Sequence, residues 1–317
     1  MSIVSSDPYT YLEGLERKQF QPCYPSVIDR TTHREQALRF DWACKWVEGF
    51  GIKLNPARVA IYRRDLEDLA DHVEAGTGPQ FEKERGLENI INSVVEAQEL
   101  IEIHGGLKSR EDAHLADMLR KYIGGTALRN QETPLTSLAR NTAFHLWFVS
   151  TAAQCDVPID LAPPADATIH KSDISVAVEC KRLFSPKKVE QNIRKGFQQL
   201  QERYAQHDGR TEIFGVLAVS LGKLDDCLVE ANDEADLTAQ SNAKLERFRK
   251  EYERHWLKRI TGREVSVFLH WTAPVRVKNP YLLTTATQFH FYPLCQPDTN
   301  QGYILRSLHD RFHRLVT

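Results

Sequence analysis

The chain has 317 residues, of which 41% are hydrophobic and 26% are charged, and its formal charge is -2. This balance is typical of a soluble globular protein with one large domain or two ordinary ones. Its six cysteines include no C-x-x-C pair, which argues against a zinc ribbon or a disulfide framework. The N-terminus lacks a signal-peptide pattern and no apolar run is long enough to span a membrane, so a cytoplasmic protein is expected.

Helical patterns dominate the first part of the chain. Apolar residues recur on one broad face of residues 82–103, which predicts a single amphipathic helix there. Ser109 is a candidate N-cap for the next helix, and Gly124 is a candidate end for it. We interpret residues 1–130 as a mostly helical N-terminal domain. Its expected role is to select substrate, hold a protein partner or support a homo-oligomer, because it contains no catalytic constellation.

Residues 131–317 mix helical and extended patterns, as expected of an α/β domain. Two strand-like runs, Ala167–His170 and Ile174–Arg182, are separated by three polar residues, and this spacing predicts a β-hairpin. The other predicted elements are a helix near 134–154, a helix from 185 to about 207, a strand at 213–219, a charged helix at about 240–260 and strands at 265–271 and 282–292.

The second strand of the hairpin carries two kinds of residue on its two faces. Because side chains alternate along a strand, one face is apolar and the other presents Glu179 beside Lys181. The apolar face is made by Ile174, Val176, Val178 and Cys180. The alternation therefore places a carboxylate next to an ammonium group without any assumption about function.

Asp166 stands at the start of the first hairpin strand, and strand pairing brings it towards Glu179. Two neighbouring carboxylates repel each other unless a cation lies between them. A hard divalent ion such as Mg²⁺ prefers oxygen ligands, polarises a phosphodiester and lowers the pKa of an attacking water. Lys181 could orient that water or stabilise the charge that develops on the phosphate. These residues therefore predict a hydrolytic site.

The combination of Asp166 with Glu179-Cys180-Lys181, between flanking helices, resembles the PD-(D/E)XK nuclease superfamily. The resemblance covers about residues 134–220 and implies a restriction endonuclease-like fold, with a mixed central sheet flanked by helices. It further implies that Asp166, Glu179 and the carbonyl of Cys180 bind Mg²⁺ or Mn²⁺ and that Lys181 is catalytic. The implied activity is a nuclease, acting on DNA more than on RNA, with a role in bacterial defence.

The sequence departs from the family pattern at three points. The usual proline precedes the aspartate by two residues, at Pro164. His145 stands on the preceding helix, where many members carry a glutamate; a histidine can bind a metal or a phosphate but adds no negative charge. Gln199, on the following helix, resembles the glutamine of some exonuclease-like branches, although the spacing differs. Both residues are candidate accessory groups.

Positive charge follows the predicted catalytic strand. Four residues are candidate phosphate contacts because they come directly after the hairpin: Lys187, Lys188, Arg194 and Lys195. The charged helix at about 240–260 is a further candidate, although such helices are usually only solvated.

Three alternatives stay open. The same site could belong to an RNA-cleaving effector. The fold could be an inactive scaffold that binds nucleic acid or a protein partner, and His145 is the residue that favours this reading. An accidental match would place Asp166 far from Glu179. Asp160 and Asp173 are competing acids, and Asp173 is expected to belong to the turn.

Overall fold

The computed structural model describes residues 31–54, 56–124, 131–133, 136–161, 163–171, 173–206, 212–224, 227–277 and 282–315, and the backbone of 27–28. The helices in this part of the chain are α1 (His33–Gly49), α2 (Pro56–Glu74), α3 (Gly78–Arg85), α4 (Leu87–Leu107), α5 (Ala113–Ile123), α6 (Leu138–Gln154), α7 (Val189–Gln206), α8 (Glu234–Leu257) and α9 (Asn300–His313).

The strands are β1 (Val27–Ile28), β2 (Ile159–Asp160), β3 (Ala167–Lys171), β4 (Ile174–Arg182), β5 (Glu212–Ser220), β6 (Val229–Ala231), β7 (Glu264–Val277) and β8 (Leu282–Pro293). They form one sheet in the order β1-β8-β7-β5-β4-β3-β2, and β6 pairs with the far end of β7. β4, β5 and β7 are parallel neighbours, whereas β2, β3 and β8 pair antiparallel to theirs. The protein is therefore an α/β protein with a mixed sheet, as predicted.

The predicted hairpin is present. β3 and β4 pair antiparallel from Ala167 opposite Val178 to Lys171 opposite Ile174. β4 continues beyond the first residue of β3, Ala167, and pairs in parallel with β5 as far as Arg182. The C-terminal end of β4 thus lies between a parallel neighbour and the start of β3, which is where the candidate residues were expected.

Two predictions about the helical part are wrong in detail. Residues 82–103 do not form one helix, because Gly86 has a φ of 87° and separates α3 from α4. A positive φ interrupts an α-helix and is readily adopted only by glycine. Ser109 does not cap the next helix; the Asp112 carboxylate accepts a hydrogen bond from the Leu115 amide and α5 begins after it.

Apolar clusters cover both faces of the sheet. Val176 and Val178 of β4 point into a cluster shared with α1–α6, and Ala177 points into a cluster shared with α7 and α8. Both faces of β4 are therefore buried, as is usual for a strand inside a sheet that helices cover on both sides. None of the helices in the described ranges combines the length and the apolarity that crossing a bilayer requires.

The helices before α6 share their core with the sheet. Ile90 and Leu107 of α4 belong to the same buried cluster as Phe144 of α6 and Phe268 of β7. The predicted boundary after residue 130 falls at the edge of a segment, 125–130, outside the described residues. The division into two domains stays a prediction.

Candidate active site

Asp166 lies directly before β3 and continues its pairing with β4. The last backbone pair joins Ala167 to Val178. Beyond it, the Asp166 side chain takes over, because its Oδ2 accepts a hydrogen bond of 2.8 Å from the amide of Cys180. This bond holds the carboxylate beside the residues on either side of Cys180. The wide separation of Asp166 from Glu179 that an accidental match would produce is therefore not observed.

Three oxygen atoms from three residues surround the Lys181 ammonium. Its Nζ donates to the carbonyl oxygen of Cys180 at 3.0 Å. The same nitrogen is 3.5 Å from Oε2 of Glu179 and 3.7 Å from Oδ2 of Asp166. Two carboxylates can approach one another at this distance because a cation lies between them. The residues predicted to bind a metal thus converge on a single cation position.

Glu179 is completely buried beneath α7. Its Oε1 accepts a hydrogen bond of 3.1 Å from Nε of Arg203, whereas its Oε2 accepts no hydrogen bond from the described residues. Burial raises the pKa of Glu179, and the neighbouring Asp166 raises it further, while Lys181 and Arg203 act in the opposite direction. The cation nearest to Oε2 is the Lys181 ammonium, at 3.5 Å.

Comparisons of the chain with family models, with curated proteins and with solved structures find no match. The chemistry of the site therefore follows from its own atoms. Carboxylate and carbonyl oxygens are the donors that Mg²⁺ and Mn²⁺ prefer. Asp166, Glu179 and the Cys180 carbonyl fit such an ion, because Oε2 of Glu179 lacks a hydrogen-bond donor and all three groups already contact one cation.

α7 covers the face of β4 that carries Glu179 and Lys181. Gly196 permits this close approach, since a Cβ there would collide with Leu217 and lie 3.4 Å from Cγ of Lys181. Gln199 falls between Gly196 and Arg203 on the same stripe of the helix. Its Oε1 is buried and accepts no hydrogen bond from the described residues. This candidate accessory residue thus lies on the helix face directed at the site.

His145 approaches from α6, on the other side of the sheet. Its Nε2 lies 3.6 Å from Oδ2 of Asp166, and its ring lies near the backbone of Cys180. Burial lowers the pKa of His145 and outweighs the opposing effect of Asp166, so the ring is neutral at pH 7. A neutral imidazole can serve as a metal ligand or a hydrogen-bond donor.

The Cys180 thiol is also near His145 and Asp166, within 4.8 Å. Its side chain belongs to the apolar cluster, as the alternation predicted. Burial raises the pKa of the thiol well above its ordinary value, and the Asp166 carboxylate adds to the rise. A thiol that stays protonated is a poor metal ligand. The carbonyl of Cys180 is therefore the donor that fits a hard cation.

A second arginine pair, which the sequence did not indicate, anchors the end of β4. Arg182 Nη2 donates to Oε2 of Glu132 at 3.0 Å, and both side chains are almost fully buried. Glu132 precedes α6, which carries His145. The pair therefore links the end of β4 to the chain that leads into this helix.

The remaining candidates lie at the surface. The four cations predicted to contact phosphate are all exposed and lie on the 3₁₀ turn Pro186–Lys188 and on α7: Lys187, Lys188, Arg194 and Lys195. Their contact with phosphate stays a prediction. The competing acid Asp160 pairs with His170 at 3.2 Å on β2 and β3, and Asp173 lies in the hairpin turn. Neither acid contributes to the cation position.

A cavity lies on the face of the sheet that packs against α1–α6. It measures about 610 Å³, and its lining includes Trp42, Trp147 and Phe289. The polar groups on its floor hydrogen-bond one another: Gln98 donates to Glu102, and so does the Trp147 indole.

Proposed function

We propose that this chain is a metal-dependent nuclease that hydrolyses phosphodiester bonds, built on a restriction endonuclease-like domain. The observation that carries the proposal is the convergence of three oxygen donors, from Asp166, Glu179 and Cys180, on one cation position, which the Lys181 ammonium occupies. Oε2 of Glu179 accepts no hydrogen bond from the described residues, so it supports the proposal as an oxygen available to a metal ion.

Each residue has a role in this proposal. Asp166, Glu179 and the Cys180 carbonyl would hold Mg²⁺ or Mn²⁺, and a bound ion of this kind polarises a phosphodiester and acidifies a coordinated water. Lys181 would donate to the attacking water or to the phosphate oxygens, since its side chain is partly exposed, at 13%. His145 would orient the Cys180 carbonyl and offer a ring nitrogen as a further metal ligand beside Asp166.

The substrate assignment has a separate basis. Exposed lysines and arginines after β4, at 187, 188, 194 and 195, would contact the phosphate backbone. The preference for DNA over RNA, and a place in bacterial defence, come from the resemblance to the PD-(D/E)XK superfamily alone.

An inactive scaffold that binds nucleic acid or a protein partner is the second candidate. The observation that favours it is charge balance, because the formal charges of Asp166 and Glu179 are matched by those of Lys181 and Arg203. With His145 in place of an acid, the site is stable without a divalent ion. The two candidates differ in whether the protein binds metal.

The test is cleavage of plasmid, linear and single-stranded DNA and of RNA, with Mn²⁺, Mg²⁺ or EDTA. Asp166→Asn and Lys181→Met should each lower the rate by about a hundredfold or more, because each removes a group that acts on the reacting phosphate. Asp173→Asn and Lys171→Met are matched controls on the same hairpin and should cut like the wild type.

Cleavage by the wild type that both site variants lack would support the nuclease. If the wild type binds nucleic acid but neither cuts it nor binds Mn²⁺, the scaffold is favoured instead. Equal cleavage by the site variants and the wild type would show that the site is elsewhere.

A further inference from the structure

Arg203 makes an ion pair with Glu179 between α7 and β4. Its Nε donates to Oε1 of Glu179 at 3.1 Å. The arginine side chain is 15% exposed, whereas that of the glutamate is 0% exposed. The pair therefore joins a helix near the surface to a carboxylate that water does not reach.

The two oxygens of Glu179 face different cations. Oε1 belongs to Arg203, while Oε2 lies 3.5 Å from Lys181 Nζ and accepts no hydrogen bond from the described residues. Lys181 is in the cation position that Asp166 and the Cys180 carbonyl also face, and Arg203 pairs with the other oxygen. The pair with Arg203 thus fixes which oxygen of the glutamate is left for a metal ion.

If Arg203 were absent, Lys181 alone would hold the Glu179 carboxylate, which could then adopt other orientations. Without Arg203, Oε1 of Glu179 would lose its donor, and rotation about the last bond of the side chain would follow because a buried oxygen without a donor is unfavourable. Oε2 would then no longer be held towards the cation position. Partners that orient a metal ligand in this way commonly contribute strongly to metal affinity.

We infer that Arg203 is a positioning residue, which holds Oε1 of Glu179 so that Oε2 faces the metal position. The inference rests on the proposed metal-dependent nuclease and adds a residue to its machinery. Arg203 acts through Glu179 and does not itself contact the ion or the phosphate. Its positive charge and its donor are both required, so lysine should substitute in part and methionine should not.

The test is titration of the full-length chain with Mn²⁺ by isothermal calorimetry. Arg203→Met should weaken Mn²⁺ binding by about tenfold or more, and Arg203→Lys should remain within about threefold of the wild type. Arg85→Met is the matched control, because Nε of Arg85 donates at 2.7 Å to Asp65, which is also buried. This control should lose stability like Arg203→Met but bind Mn²⁺ normally.

Cleavage gives a second measurement. Arg203→Met should need about tenfold more Mn²⁺ for half-maximal rate and recover most of the wild-type rate at saturating Mn²⁺. If Arg203→Met does not fold, Arg203→Gln keeps a side-chain donor without the charge and should show an intermediate loss of affinity.

The outcomes separate this inference from the nuclease proposal. If the wild type binds Mn²⁺ and Asp166→Asn does not, while Arg203→Met binds like the wild type, the role of Arg203 is wrong and the metal site stands. An equal loss of affinity in Arg203→Met and Arg85→Met would also overturn the role, because it would reflect stability alone. A wild type that binds no Mn²⁺ would overturn both.

Discussion

The Lys181 ammonium touches an oxygen of each residue expected to bind the metal. These contacts, at 3.0 to 3.7 Å, are those of a cation that neutralises two carboxylates. The ammonium and a divalent ion therefore compete for Asp166, Glu179 and the Cys180 carbonyl. The lysine is necessary for the proposed chemistry and at the same time opposes metal binding.

This competition predicts opposite effects on binding and on activity. Lys181→Met should bind Mn²⁺ more tightly than the wild type by about tenfold, or about 1.4 kcal/mol, because a positive charge no longer occupies the site. The same variant should not cut DNA. Calorimetric titration with Mn²⁺ measures the first effect, with Lys171→Met as the control. Weaker binding by Lys181→Met would contradict the shared cation position.

At the scale of residues, the sequence predicts what lies along one hairpin and misses what joins distant elements. Alternation on β4 and pairing with β3 bring Asp166, Glu179 and Lys181 together, as expected. Arg203 and Glu132 were not predicted, because their partners depend on how α7 and the chain before α6 pack against the strand. One cue was present, since Arg203 lies one turn beyond Gln199 on the helix that follows the hairpin.

At the scale of elements, α4 and α6 pack closely enough to require a glycine. A Cβ on Gly106 would collide with the carbonyl oxygen of Ser150, and the Gly106 amide donates to the Ser150 hydroxyl at 3.0 Å. On the adjacent Gly105, a Cβ would lie at an ordinary distance of 3.6 Å from the Gln154 side chain. α6 also carries His145, so this contact helps to fix the position of the histidine relative to the sheet.

The two neighbouring glycines should therefore respond in opposite ways to alanine. Gly106→Ala should lower the free energy of unfolding by roughly 3 kcal/mol, because it forces a side chain against the backbone of α6. Gly105→Ala should leave it unchanged or raise it by about 1 kcal/mol, since alanine favours the helix. Urea unfolding followed by circular dichroism measures both. A similar loss in the two variants would contradict the packing described here.

The periodicity of the sequence predicted the hairpin and the following helix because both are formed by residues close along the chain. It did not predict the division at Gly86, where one glycine backbone angle interrupts an otherwise continuous apolar pattern. The order of the strands depends on pairings such as β5 with β7, which are far apart in sequence. These pairings leave no local signal.

At the scale of the whole molecule, the helices before α6 and the sheet share one buried apolar cluster. Leu107 and Ile90 lie in it together with Phe144 and Phe148 of α6. The sequence suggested two domains because helical patterns dominate up to about residue 130 and mixed patterns follow, and such patterns contain no information about this packing. Whether residues 131–317 are stable alone depends on how much of α6 is exposed when α4 is removed.

Residues 131–317 expressed alone should not fold cooperatively. Loss of α4 would uncover the apolar side chains of α6, including Phe144 and Phe148, which are buried in the full chain. The expected fragment aggregates, or shows no sharp unfolding transition by near-ultraviolet circular dichroism. A soluble fragment with a single sharp transition would instead support an independent domain that begins at residue 131.

Asp166 supports the sheet and the candidate site with the same oxygen atom. Its Oδ2 accepts the Cys180 amide, beyond the last backbone pair of β3 and β4. An asparagine retains an oxygen for this bond but loses the charge, whereas an alanine loses both. A descendant with asparagine at position 166 should therefore keep the shape of the hairpin while losing a carboxylate from the cation position. In such a lineage, the intact fold would not report whether the proposed activity is retained.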